Sequence, residues 1–204
     1  MKTILHVSCS PRGQDAESYR LSQKIIGSLL QQEPTAVLVD RVIGDGSIPA
    51  VDADYALSQG SAADVSDQGS MILSEQLIRE LESADVVLIS TPMHNYTVPS
   101  TLKAWIDHVV RARRTFNVTA AGKVPLLRDR PVFIAIAAGG RFSGERARQP
   151  DFLTPYLQAI LNMIGLYDLT FFSVQGTGSN PDAIVKTRAR THQALEDHFA
   201  SVRL

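Results

Sequence analysis

Ala84-Asp85-Val86-Val87-Leu88-Ile89 and Val132-Phe133-Ile134-Ala135-Ile136 are the stretches on which the reading of this fold turns. Each is a nearly unbroken apolar run of strand length. A strand with one face in water alternates apolar and polar residues, whereas a run of this kind suits a strand covered on both faces. Comparable strand segments lie at Thr3–Ser8, Ala36–Val42, Val86–Thr91, Val132–Ala137 and Leu169–Val174. Helical patterns fill the intervals at Glu17–Leu30, Met71–Glu82, Pro99–Arg113 and Phe152–Met163, and Pro181–Val202 closes the chain. In the third, Leu102, Trp105, Ile106, Val109 and Val110 recur at i, i+3, i+4, i+7 and i+8, one stripe for packing on a sheet. Pro99 marks its start and Gly165 is the expected C-cap of the fourth. Strands alternating with helices predict an α/β fold, a doubly wound five-stranded parallel sheet with helices on both faces. A ligand is expected where the carboxyl ends of the strands meet the following loops.

The chain's 204 residues suit one domain over 1–204, and 44% hydrophobic with 20% charged residues is a globular composition. Twenty basic against twenty-one acidic residues lack the basic excess of a nucleic-acid partner. The dense basic stretch Arg111–Arg114 is expected at a helix end, its cations near the last carbonyls, with anion binding the alternative. Cys9 is the only cysteine, so no disulfide can form within the chain and a reducing, cytoplasmic setting fits. The run Met1–Ser8 reads as a first buried strand rather than a signal peptide. No stretch approaches the roughly 20 apolar residues of a membrane span. Arg41–Gly69, with Gly44, Gly46 and Pro49, has no strong periodicity, and a connection of that length is usually functional or interfacial.

Three strand ends carry candidate chemistry. Ser8 to Ser18 offers the Ser10 and Ser18 hydroxyls and the free amides of a helix start, which suit a phosphate monoester; the same residues also make an ordinary turn. It lacks the glycine patterns of dinucleotide and nucleoside-triphosphate loops. Pro92-Met93-His94-Asn95-Tyr96-Thr97-Val98-Pro99 sets His, Asn and Tyr side chains at the sheet edge, an environment for a flat, hydrogen-bonding ring. Ala137-Ala138-Gly139-Gly140 allows close backbone approach to a ligand, or simply a flexible turn. No set of histidines and cysteines has metal-ligand spacing, so no metal is expected.

Together these loops resemble the FMN-dependent NADH-azoreductase family, relatives of the flavodoxin-like quinone reductases. The likeness rests on Pro92–Tyr96, on Pro99-Ser100-Thr101-Leu102-Lys103-Ala104-Trp105-Ile106-Asp107, on Thr115-Phe116, on Gly139-Gly140 and on Leu153–Leu157. It implies the flavodoxin-like strand order 2-1-3-4-5 and bound FMN, with NADH or NADPH as electron donor and quinones or azo compounds as acceptors in ping-pong turnover. Ser10, Ala16, Glu17 and Ser18 would hold the phosphate. Pro92, Met93, His94, Asn95 and Tyr96 would border the ring, with Asn95, His94, Tyr96 and Phe116 nearest the reacting groups. Ala137, Ala138, Gly139 and Gly140 would approach the pyrimidine edge. The resemblance also implies a homodimer, with Phe116 walling the acceptor pocket from either subunit and Arg41–Gly69 in the contact. Departures are His94 for the usual Tyr, Tyr96 for Phe, Ala137-Ala138 for Ser-Arg, and Ala16-Glu17 for more polar, uncharged residues.

Two competing readings are a flavodoxin-like electron carrier or regulatory flavin module, and a phosphate-ester hydrolase. Carriers of that kind are strongly acidic, against a net charge of −1 here. The hydrolase lacks a recognisable nucleophile array in the sequence.

Overall fold

The structure is a computed structural model that describes residues 1–60, 67–178 and 181–202. Its strands are β1 (Thr3–Ser8), β2 (Val37–Val42), β3 (Val86–Pro92), β4 (Phe116–Thr119), β5 (Gly122–Pro125), β6 (Val132–Ala138) and β7 (Leu169–Gln175). Its helices are α1 (Glu17–Gln32), α2 (Ala53–Gly60), α3 (Ser70–Ser83), α4 (Ser100–Val109), α5 (Thr154–Ile164) and α6 (Pro181–Ser201). The main sheet has the order β2-β1-β3-β6-β7, with every pairing parallel. This is the expected 2-1-3-4-5 order. The fourth and fifth sheet strands are numbered six and seven because β4 and β5 form a separate antiparallel hairpin that the sequence reading did not anticipate.

The apolar runs behave as two-sided strands. Val87, Ile89, Ile134 and Ile136 join a core with α3, α4 and α5, while Val86, Leu88, Phe133 and Ala135 join the opposite core with α1 and α6. The pleat sends successive side chains to opposite faces, so each run must be apolar at every position. Helix α5 ends at Gly165, whose left-handed φ of 107° makes it the expected C-cap.

Helix α4 ends at Val109, short of the expected Arg113. The three arginines of this stretch are taken up by acids and by the last carbonyls of α2 rather than by the end of α4. Arg111 is buried; its guanidinium donates to Ser74 Oγ at 3.0 Å and is paired with Glu75. Arg114 donates to Glu75 at 2.9 and 3.0 Å and to Glu82 at 3.2 Å. Arg113, at a left-handed φ of 68°, reaches the Ser58 carbonyl. Buried Glu75 therefore decides the turn, because a desolvated carboxylate needs compensating charge more than a helix end needs a cation. Thr115 Oγ1 donates to the Val109 carbonyl at 2.8 Å and completes the helix end. Arg130 does the same for α3, donating to the carbonyls of Leu81, Glu82 and Ala84.

The aperiodic connection contains α2 and packs on α4. Tyr55 Oη donates to the Asp107 carbonyl at 2.7 Å, and His108 Nε2 lies 3.0 Å from the Pro49 carbonyl. Residues 61–66 of that connection lie outside the described residues. Among the described residues, no helix is long and apolar enough to cross a membrane.

Candidate active site

Parallel pairing brings the ends of β1, β3 and β6 to one edge, and the three candidate loops leave from there. At the first, the Cys9 amide donates to the Ser90 carbonyl and extends β1 beyond its last formal residue. Ser10 is buried, and its Oγ accepts from the Arg12 amide at 3.3 Å. The chain turns through Gly13–Asp15 into α1, whose start carries no side-chain cap. Ser18, in the first turn, is completely buried, and its Oγ has no hydrogen-bond partner among the described residues. Buried hydroxyls are nearly always satisfied. An unpaired hydroxyl beside uncapped helix amides is the arrangement that receives a phosphate. Gly44 closes the floor, since a Cβ there would stand 2.1 Å from the Ser10 carbonyl oxygen.

Glu17, counted at sequence level among the phosphate-holding residues, turns its side chain away. Arg188 of α6 holds its carboxylate bidentately at 2.7 and 2.5 Å, so the acid is neutralised and only its backbone faces the helix start. Ala16 is buried and supplies the extended residue before the helix. Arg12 is exposed.

The second loop is a two-residue hairpin. His94 and Thr97 exchange both backbone hydrogen bonds at 3.0 Å, and Asn95 and Tyr96 sit at φ of 48° and 70°. Paired positive φ values define a type I′ turn, where Asn is favoured and Tyr carries strain. The turn leaves the side chains of His94, Asn95 and Tyr96 exposed together. Pro92 ends β3, and the Met93 amide donates to the Ala137 carbonyl at 2.8 Å, which joins this loop to β6. Gln149 Nε2 donates to Met93 Sδ, and the Phe152 amide donates to the Tyr96 carbonyl at 3.0 Å. Exposed Phe152 thus stands beside the turn, a neighbour that sequence reasoning passed over because its helix pattern absorbed it.

The third loop follows Ala137 and Ala138, both buried. The Gly139 carbonyl accepts from the Gly178 amide and that of Gly140 from Gly176, while Gln175 Oε1 accepts from the amides of Phe142 and Ser143. β7 therefore braces the loop from one side. A Cβ at Gly139 would meet nothing within 4 Å, so this backbone faces open space. Thr101 Oγ1, in α4, donates to the Cys9 carbonyl at 3.1 Å and ties the first loop to the second.

Phe116 does not join this cluster. It opens β4, is 8% exposed within the core, and carries the Lys123 ammonium 5.2 Å from its ring centroid. Helix α4, about 15 Å long, separates it from the loop at Pro99.

Behind the first loop lies a row that would suit a hydrolase in another setting. His6 Nδ1 is 2.8 Å from Asp40 Oδ1 and Nε2 is 3.1 Å from Ser90 Oγ. Burial lowers the His6 pKa, against the opposing hydrogen bond and charge of Asp40, which favours the uncharged ring. Ser90 is 1% exposed within the sheet, out of reach of any substrate, and the row is structural. Cys9 is likewise buried, and desolvation pushes its thiol far above the ordinary range.

The edge carries groups of the kind FMN needs: unpaired Ser18 Oγ and the uncapped helix for a phosphate, open backbone at Gly139 and an exposed hydrogen-bonding turn for a ring. These features suit a nucleotide cofactor at the strand ends of a flavodoxin-like α/β fold. The sequence profile described as flavodoxin-like fold matches residues 2–199. FMN-dependent NADH:quinone oxidoreductase 4 of Pseudomonas fluorescens is 44% identical over 195 residues, covering 96% of this chain and 94% of the relative. FMN-dependent NADH:quinone oxidoreductase 5 of Burkholderia lata is 43% identical, covering 95% of both chains. Among solved structures, an azoreductase from Bacillus anthracis superposes with a TM-score of 0.85 at 21% identity, covering 99% of this chain and 100% of that one. A B. anthracis FMN-dependent NADH-azoreductase solved with FMN gives 0.81 at 21% identity, covering all of both chains. The chain belongs to the flavodoxin-like family that includes these quinone oxidoreductases.

Proposed function

We propose that the protein is an FMN-dependent NAD(P)H:quinone oxidoreductase that also reduces azo compounds. The observation that carries the reading is the buried, unpartnered Ser18 hydroxyl at the uncapped start of α1, set beside the exposed Asn95 turn. Ser10, Ser18 and the backbone of Ala16 and Glu17 would bind the phosphate. Pro92, Met93, His94, Asn95 and Tyr96 would border the ring on one side, with Ala137 to Gly140 on the other. FMN bound there would supply the two-electron redox chemistry.

The chain's own groups orient the reactants and stabilise charge. The Asn95 amide and the glycine backbone offer fixed dipoles where negative charge grows on reduction. His94, exposed on the turn, or solvent would hand a proton to the acceptor. Donor and acceptor would use the same open face in turn, which makes the kinetics ping-pong.

A second copy of the chain would complete the acceptor pocket. Val118 and Val124 are exposed on the hairpin, and Leu57 is exposed on α2 within the aperiodic connection. Phe116 would anchor that hairpin rather than wall the pocket of its own chain. The tests are direct. The purified protein should release FMN on denaturation and oxidise NADH or NADPH with quinones and azo dyes along parallel double-reciprocal lines. Light scattering should give twice the mass of one chain. FAD, no flavin, or electron transfer only to a protein partner would refute the reading, the last in favour of a carrier.

A further inference from the structure

A cavity of about 230 Å³ opens between α1 and α6, and Glu17, whose backbone belongs to the candidate active site, stands on its rim. Its floor is apolar: Leu21 and Val174 are 4% and 2% exposed. Its rim carries Arg20, Lys24, Arg188 and His192, with Glu17 as the one acid. Glu17 is consumed by Arg188. Arg20 has only Asp15 at 3.9 Å, with both side chains exposed, and Lys24 makes no ion pair among the described residues. The cavity therefore combines an apolar base with unneutralised positive charge.

A second hollow of about 390 Å³ continues along the same helices and shares Lys24 and His192 with the first. Gly27 of α1 lines it, and a Cβ there would meet nothing within 4 Å. A glycine inside a helix costs stability, and no protein neighbour requires this one. The groove is open where a better helix former would begin to fill it. Lys24 and His192 stand at the seam, where Lys24 supplies the cation for an anionic head and His192 a ring nitrogen; Glu196 also lines the second hollow.

We propose that this groove is a second ligand site, for a small amphipathic carboxylate. Its apolar body lies on Leu21 and Val174, and its carboxylate sits between Lys24 and His192. Inorganic phosphate would waste the apolar floor, and an uncharged ligand would leave Lys24 without an anion. The proposal does not rest on the flavin reading: Lys24, His192 and Leu21 lie outside the candidate active site, and the shared residue, Glu17, has its side chain held by Arg188.

The test is a titration of the purified full-length protein with phenylacetate, followed by amide chemical shifts, with 2-phenylethanol and inorganic phosphate as separate probes. Saturable shifts at residues 21–27 and 191–195 are expected with phenylacetate, and at least tenfold weaker binding with 2-phenylethanol. Phosphate should not saturate. Lys24→Gln and His192→Gln, both outside the redox site, should each weaken phenylacetate at least fivefold and leave reductase turnover unchanged. Shifts confined to residues 93–97 and 139–143 would overturn the proposal. So would phosphate reproducing the effect, an alcohol binding equally well, or Lys24→Gln binding as tightly as the parent.

Discussion

Glu75 should dominate the acid sensitivity of this fold. Its side chain is 11% exposed and accepts from Arg79 at 3.1 Å, from Arg114 at 2.9 and 3.0 Å, and from Arg111. Hydrogen bonding from Arg114 is the largest cause that lowers its pKa, from 4.5 to about 2, with Arg111 adding to it against the cost of burial. At about 1.4 kcal/mol per pKa unit, a shift of this size corresponds to about 3 kcal/mol of stability. The folded-state pKa is depressed, so this stability is fully present above pH 4.5 and is lost as pH falls toward 2. Glu75→Gln keeps the shape but removes the carboxylate charge that faces Arg111, 2% exposed, which should cost about 3 kcal/mol at pH 7. A protonated Glu75 and the glutamine of the variant are close to isosteric, so the gap between parent and variant should shrink by about 2 kcal/mol between pH 5 and pH 3. Urea denaturation at pH 7, 5, 4 and 3, read as the difference between the two proteins, cancels the other carboxylates. A gap that stays constant across this range would refute the assignment of the acid-labile charge to Glu75.

Three further outcomes follow from the site. Ser18→Ala should leave the apoprotein as stable as the parent or slightly more so, because a buried unpaired hydroxyl is removed, while FMN affinity falls about tenfold; calorimetry of the apoprotein with a flavin titration separates the two. Gly44→Ala should destabilise the chain by more than about 2 kcal/mol, a scale typical of forced backbone shifts, and abolish flavin uptake, as thermal melting and flavin content will report. Asn95→Ala should weaken the flavin or slow bleaching by NADH roughly five- to a hundredfold. Asn95→Gly keeps the left-handed turn, so it separates the lost side chain from the backbone strain of alanine; if Gly restores parental rates, the amide of Asn95 has no role in the reaction.

The main sheet was legible because each of its five strands carries its own signal, and the observed bounds fall within a residue or so of those expected. The β4–β5 hairpin was not, since Phe116–Thr119 and Gly122–Pro125 bury only Phe116 and carry no period of their own. Helix α2 escaped notice for a similar reason: its eight residues bury only Tyr55 and Ser58. Loop composition pointed to Ser10, Ser18 and Asn95, and the fold brings their loops to one sheet edge. Sequence could not show that Arg188 neutralises Glu17, a contact 171 residues apart, or that Ser74 and Glu75 claim Arg111. Those pairings depend on which helices become neighbours, and that is decided by the sheet.

Arg130 bears on the order in which the chain comes together. It stands just before β6, yet its guanidinium satisfies carbonyls at the end of α3, 46 to 49 residues earlier. During synthesis, β1, β2 and β3 can pair while α3 still lacks the group that closes its last turn. Arrival of β6 therefore does two things at once: it adds the next strand to the edge of β3 and seals a helix from the previous half. The first half of the polypeptide should fray at α3 while tethered to the ribosome and become protected from proteolysis only when residue 130 has emerged from the exit tunnel.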